Sequence, residues 1–128
     1  MNSVMHKLLV IGGIITLLSP IRLSGVITFE KWYDIRDDDG GFFVQPTSDG
    51  GYIITGETAY SGEGSYVLLM KTDSFGDTVW TKAYGSSETP LDRASCVRET
   101  SDGGYIIVGK AAPGGPFTED VWLIKTDY

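Results

Sequence analysis

The chain has 128 residues, 41% hydrophobic and 21% charged, with seventeen Asp and Glu against ten Lys and Arg and a formal charge of −7. That balance permits one ordinary globular domain or less and excludes wholesale disorder. Residues 1–25 hold two of the basic residues, Lys7 and Arg22, the single histidine His6 and no acid, so residues 26–128 carry −9 and no histidine; such acidity argues against binding nucleic acid by phosphate neutralisation.

Met1 to Lys7 is short and weakly basic. An apolar run from Leu8 to Leu18 follows, then Pro20, then the small residues of Leu23-Ser24-Gly25. This three-part layout predicts a secretory signal over residues 1–25, because the run falls short of the roughly 20 residues a spanning helix needs. An uncleaved anchor would have to extend through Pro20 and Arg22. Leu23-Ser24-Gly25 resembles the start of a lipoprotein box, but Val26 stands where the lipid-bearing cysteine would be required.

Beyond the signal, an internal repeat sets the architecture. Thr47-Ser48-Asp49-Gly50-Gly51-Tyr52-Ile53-Ile54 recurs unchanged as Thr100-Ser101-Asp102-Gly103-Gly104-Tyr105-Ile106-Ile107, an offset of 53. Tyr66 to Asp73 is answered by Asp120 to Asp127 at an offset of 54, and Phe29-Glu30-Lys31-Trp32-Tyr33 parallels Trp80-Thr81-Lys82-Ala83-Tyr84. Each copy reads as four short strands. In the first copy they cover about Phe42–Thr47, Tyr52–Thr58, Tyr66–Thr72 and Thr78–Tyr84. Ser-Asp-Gly-Gly and Asp73-Ser74-Phe75-Gly76-Asp77 supply the hairpin turns. No 3.6-residue apolar period appears, so the chain is expected to be all-β.

Val67-Leu68-Leu69-Met70 and Val121-Trp122-Leu123-Ile124 are continuous apolar runs, which predict strands buried on both faces. A β-propeller blade packed between neighbouring blades meets that requirement, and a four-stranded repeat of about 50 residues suits it. Residues 26–128 are therefore expected to form about two propeller-like, four-stranded antiparallel blades.

The strings Asp92…Val97, Thr100 to Ile107, Gly109, Val121 to Asp127 and, in the first copy, Trp80, Lys82, Tyr84 and Gly85 together resemble the exported bacterial and archaeal β-propeller repeat proteins. The resemblance covers nearly all of residues 26–128. It implies a propeller and an extracellular or envelope location, and it brings no known activity. The chain departs from a whole propeller in its count. It has one fourth-strand segment (Phe29 to Tyr33), a full set of four strands, then three, which amounts to two permuted blades where a ring needs about four to eight. A fragment of a longer propeller, an oligomeric ring of several chains and a face-to-face sandwich remain as alternatives.

Candidate chemistry is sparse. Without histidine in residues 26–128, Ser-His-Asp triads, Cys-His pairs and His-rich zinc sites are unavailable. Cys96 aligns with Phe43, reads as a small apolar residue, and as the single cysteine it forms no internal disulfide. Asp37-Asp38-Asp39 and Asp73 to Asp77 offer oxygen ligands but not the twelve-residue calcium loop, and turn chemistry accounts for both, as it does for Asp49 and Asp102. No metal or cofactor is expected.

Trp32, Trp80 and Trp122 are candidate binding residues, since flat apolar faces with polar tips suit carbohydrate or peptide, although packing between blades is the favoured reading of all three. The expected function is a non-catalytic, secreted or envelope-located module for binding or structural interaction. Its partner would be an unidentified extracellular protein or glycan, further copies of itself, or missing blades. The alternative is a sugar-binding lectin, by architectural analogy with small bacterial lectins whose two-blade chains trimerise. A glycosidase-like enzyme using two carboxylates comes third, with no spacing that singles out a pair.

Overall fold

The computed structural model describes residues 28–85, 91–114 and 117–127, together with the backbone of 9–11 and 14–16. It is all-β, with no helix among the described residues. β1 (Leu9–Ile11) and β2 (Ile14–Thr16) make a two-stranded antiparallel ribbon within the predicted signal. β3 (Asp38–Pro46), β4 (Tyr52–Ala59), β5 (Ser65–Thr72) and β6 (Thr78–Tyr84) form a four-stranded sheet in chain order. β7 (Arg93–Glu99), β8 (Tyr105–Ala111) and β9 (Asp120–Thr126) form a three-stranded one. All neighbouring strands are antiparallel and neither sheet closes on itself.

The turns form where the glycines stand. Gly50 and Gly103 adopt φ of 86° and 81° in the two Ser-Asp-Gly-Gly turns, a conformation in which a Cβ is strained. Thr47 N–H donates to the Gly51 carbonyl at 2.9 Å, and Thr100 N–H donates to that of Gly104 at 2.8 Å. The registers match as well. Phe43 faces Thr55 and Cys96 faces Val108, each beside a bulge in the first strand of its sheet, where the backbone closes on Gly56 and Gly109.

Side-chain alternation gives each sheet two faces. In the first sheet, Phe43, Ile53, Thr55, Val67, Leu69 and Trp80 lie on one side, here called the Leu69 face. Val44, Tyr52, Ile54, Leu68 and Met70 lie on the other, the Met70 face. In the second sheet, Ala94, Val97, Tyr105, Ile107, Trp122 and Ile124 form the Ile124 face, and Ile106, Val108, Val121, Leu123 and Lys125 the Leu123 face.

The core lies between the Leu69 face of the first sheet and the Ile124 face of the second: Ile53, Val67, Leu69, Ala94, Val97, Tyr105 and Ile107 are buried there, with Phe43, Trp80, Tyr84, Trp122 and Ile124 packed around them. By sequence offset, Leu69 corresponds to Leu123 and Met70 to Ile124. The two sheets thus stack with opposite faces in contact, in the same sense rather than mirror fashion. Polar contacts fasten the rim. Ser48 donates through both its N–H and its hydroxyl to Glu99, and Arg93 pairs with Glu57 at 3.3 Å.

Residues 28–37 form no strand, against the fourth-strand expectation for Phe29–Tyr33. A strand needs an unpaired edge beside it, and this segment instead lies over the Met70 face. Phe29 packs on Tyr52 at 6.0 Å between ring centroids, the Tyr33 hydroxyl donates to the Gly76 carbonyl at 2.8 Å, and the Arg36 guanidinium stacks 4.6 Å from both Tyr60 and Tyr66.

Candidate functional site

Asp37, Asp39 and Asp73, from the two acidic clusters, are each held by backbone N–H or hydroxyl donors. Asp39, at the head of β3, accepts from the Thr58 hydroxyl at 2.6 Å and from the N–H groups of Ile35 and Arg36 at 2.8 and 3.0 Å. Burial pushes its carboxyl up, but these donors outweigh that and keep it below the ordinary range. Asp37 accepts from the Ser61 N–H, and Asp73 from the N–H groups of Phe75 and Asp77, the latter closing the β5–β6 hairpin. Among the described residues, no group of three or more His, Cys, Asp or Glu side chains is arranged to hold a metal ion.

Asp49 and Asp102 repeat one device. The Asp49 carboxylate accepts from the Thr47 hydroxyl, the Gly51 N–H and the Lys71 ammonium, and Asp102 from Thr100, Gly104 and Lys125. The Thr47 hydroxyl chiefly, then Lys71, holds the Asp49 carboxyl far below its usual range; for Asp102 the Lys125 ammonium is the first cause and the Thr100 hydroxyl the second. These carboxylates stay ionised in ordinary buffers, which suits a structural pin and not a proton donor.

The tryptophans occupy different places. Trp80, in β6, meets Tyr105 edge-on across the inter-sheet layer at 5.9 Å, and Trp122, in β9, packs partly buried against the same core. Trp32 lies on the outside, 90% exposed, beside a shallow recess with Asp34, Thr78 and Thr81. Cys96 is a free, half-buried thiol on β7, less enclosed than a core position, because its alternation points it to the Leu123 face.

A groove of about 630 Å³ lies between residues 28–33 and the Met70 face. Phe29, Tyr33, Phe42, Val44 and Ile54 form its apolar walls and Lys31 its charged lip. Phe42 and Val44 are exposed although they belong to a strand. Lys31 is engaged with Asp77 at 2.7 Å, and the Tyr33 phenol is pushed up chiefly by burial, so the groove offers contact surface and hydrogen bonding in place of an acid–base pair. Sequence reasoning did not find this groove; Val44 alternating out of phase with Phe43 was its one visible signal. A smaller acidic recess, about 420 Å³, is lined by Asp38, Asp39, Glu57, Glu63 and Arg93.

No family model, no curated protein and no solved structure matches this chain.

Proposed function

We propose that this chain is a non-catalytic, exported repeat module of β-propeller type, made of about two blades, that works through binding or structural interaction. The observation that carries this reading is the sense of the stacking: the Leu69 face of the first sheet is buried by the Ile124 face of the second, whose sequence counterpart is the Met70 face. A contact between non-equivalent faces can be repeated indefinitely, as successive blades do around a propeller axis. A non-catalytic role is supported by Asp39, Asp49, Asp73 and Asp102, whose carboxylates are engaged by backbone N–H groups of their own turns.

The test is to express the full chain, sequence the N-terminus of the exported material, and incubate it with a panel of chromogenic glycosides. Release outside the cytoplasm with cleavage near residue 25 and no turnover is the expected result. Turnover abolished by neutralising one carboxylate would overturn it.

A sugar-binding lectin is the second reading, and exposed Trp32 beside Asp34, Thr78 and Thr81 is the observation in its favour. Glycan-array signals lost in Trp32→Ala would support it, and an array without hits would remove it.

A further inference from the structure

We propose that a second copy of this chain docks head to tail on the open face of the β7–β9 sheet, its residues Phe29–Tyr33 pairing with the β9 edge as a fourth strand. The inference rests on the repeat-module reading and names the surface through which the module assembles.

The faces themselves argue for it. Val67 and Leu69 are 1% and 0% exposed beneath the second sheet, whereas their counterparts Val121 and Leu123 are 84% and 64% exposed. Val108, where the first copy has buried Thr55, is exposed too. Apolar residues that form an interface in one sheet thus stand uncovered in the other, along a strand edge that no described strand pairs.

The complementary surface is already arranged on the other side of the molecule. Phe29 corresponds to Trp80, and Tyr52 to Tyr105. Phe29 sits on Tyr52 at 6.0 Å with the rings at 60°, and Trp80 sits on Tyr105 at 5.9 Å and 64°. Residues 28–33 therefore lie over the first sheet as β6 lies over the second. Yet β6 is there the outermost strand of a sheet, while among the described residues no strand pairs with Phe29–Tyr33. The 630 Å³ groove lined by Phe42, Val44 and Ile54 lies next to it.

A β7–β9 sheet from a second copy fits this place in both respects. Its Leu123 face would cover Val44, Tyr52 and Ile54, and β9 would pair with the segment. Transferring the β5–β6 register, in which Val67 faces Tyr84, Leu69 faces Lys82 and Lys71 faces Trp80, sets Val121 opposite Tyr33, Leu123 opposite Lys31 and Lys125 opposite Phe29. Charge agrees as well. Within the chain Glu57 meets Arg93 at the rim; between copies their counterparts put Lys110 at Gly40, next to the acids Asp38 and Asp39. Each copy carries one such face and one such groove, so the contact is heterologous and propagates until it closes.

The test uses the full chain with Cys96→Ser as background. Lys31→Cys and Leu123→Cys are made separately, mixed and oxidised. The mixture is expected to give disulfide-linked dimer in about tenfold excess over either variant alone, because only the mixture places the two thiols opposite each other at high effective concentration. In the parent chain the solution mass should be a multiple of one chain, and Val121→Glu with Leu123→Glu should reduce it to one chain with unchanged far-UV circular dichroism, since both sites are exposed in the single chain. A monomeric parent, an undiminished mass in the double variant, or no excess cross-link would overturn the proposal. A monomer without turnover leaves the repeat-module reading standing, whereas turnover defeats that reading whatever the mass.

Discussion

The Nζ of Lys71 lies 2.9 Å from Oδ2 of Asp49, on a side chain only 6% exposed, and also donates to the Thr72 carbonyl at 2.8 Å. Lys125 and Asp102 make the same pair at 2.8 Å, with Lys125 43% exposed. The chemistry is identical, and the difference is the second sheet lying over the first. A covered ammonium cannot recover its solvation if its carboxylate is removed. Asp49→Asn should therefore cost about 1 kcal/mol, limited by the solvent exposure of the carboxylate itself, and Asp102→Asn should cost less. Urea denaturation of the two variants decides the order.

The same pair fixes a pH dependence. The Asp49 carboxyl is held below its ordinary value by Thr47 and by Lys71, so folding is favoured by its ionised form. That contribution is complete above the unfolded carboxyl pKa, about 4, and is lost as pH falls through the depressed folded value. The gap in urea midpoint between the parent chain and Asp49→Asn should be constant from pH 5 to 8 and narrow below pH 4. A gap that widens in acid would contradict this.

Leu69 and Leu123 allow a comparison at constant chemistry. Leu69 is fully buried between the sheets, and truncation to alanine should cost about 2–5 kcal/mol by lost burial and the cavity left behind. Leu123→Ala, at the exposed counterpart, should stay within about 0.5 kcal/mol when measured on dilute single chains. Thermal or urea unfolding of both variants at low concentration gives the two values.

How much of this was legible in the sequence depends on what each residue needs. The β3–β4, β5–β6 and β7–β8 hairpins were readable because Gly50, Gly76 and Gly103 take positive φ angles that few other residues tolerate. β6 occupies the expected residues, Thr78–Tyr84. β3 was expected from Phe42 but begins at Asp38, because Asp39, Gly40 and Gly41 pair with Thr58, Glu57 and Gly56 in the strand ladder, which strand propensity does not register. Phe29–Tyr33 has the sequence of a fourth strand without being one, since pairing depends on an edge elsewhere in space. The groove beside it was illegible for the same reason.

Glycine contacts separate two kinds of constraint. A Cβ on Gly56 would stand 1.7 Å from the Gly40 carbonyl oxygen, so Gly56→Ala must part β3 from β4 at the bulge and should cost about 1–3 kcal/mol or more. Gly50 has open space around it but a φ of 86°, and Gly50→Ala should cost roughly 1 kcal/mol, by strain alone. Hydrogen exchange of the β3 and β4 amides should accelerate in the first variant and stay near parental values in the second.

The tryptophans provide an optical check on the layer between the sheets. Trp80 and Trp122 are partly buried against the core and Trp32 is exposed. Trp32→Phe should shift the emission to the blue and lower the acrylamide quenching constant, because the remaining indoles are shielded by packed side chains. Trp80→Phe should do the opposite, raising the exposed share of the signal. The edge-on contact with Tyr105 should be largely kept, since Phe29 makes the equivalent contact with Tyr52.

Asp92 joins the two sheets through the backbone. Its N–H donates to the Ser65 carbonyl at 2.9 Å, and its Oδ1 accepts from the Ala112 N–H at 3.1 Å, in a site fully closed to solvent. Asp39 is its counterpart at an offset of 53, and there the carboxylate takes the N–H groups of Ile35 and Arg36. In both places an aspartate at the entry to a sheet's first strand satisfies a peptide N–H outside the strand ladder. Asp92→Ala leaves the Ala112 amide buried and unpaired, which should cost about 1–3 kcal/mol. Asp92→Asn keeps an acceptor oxygen at the same place and should lose less. Amide exchange at Ala112 should accelerate strongly in the alanine variant and only slightly in the asparagine one. Equal acceleration in both would mean that the charge, and not the hydrogen bond, holds the strands at this junction.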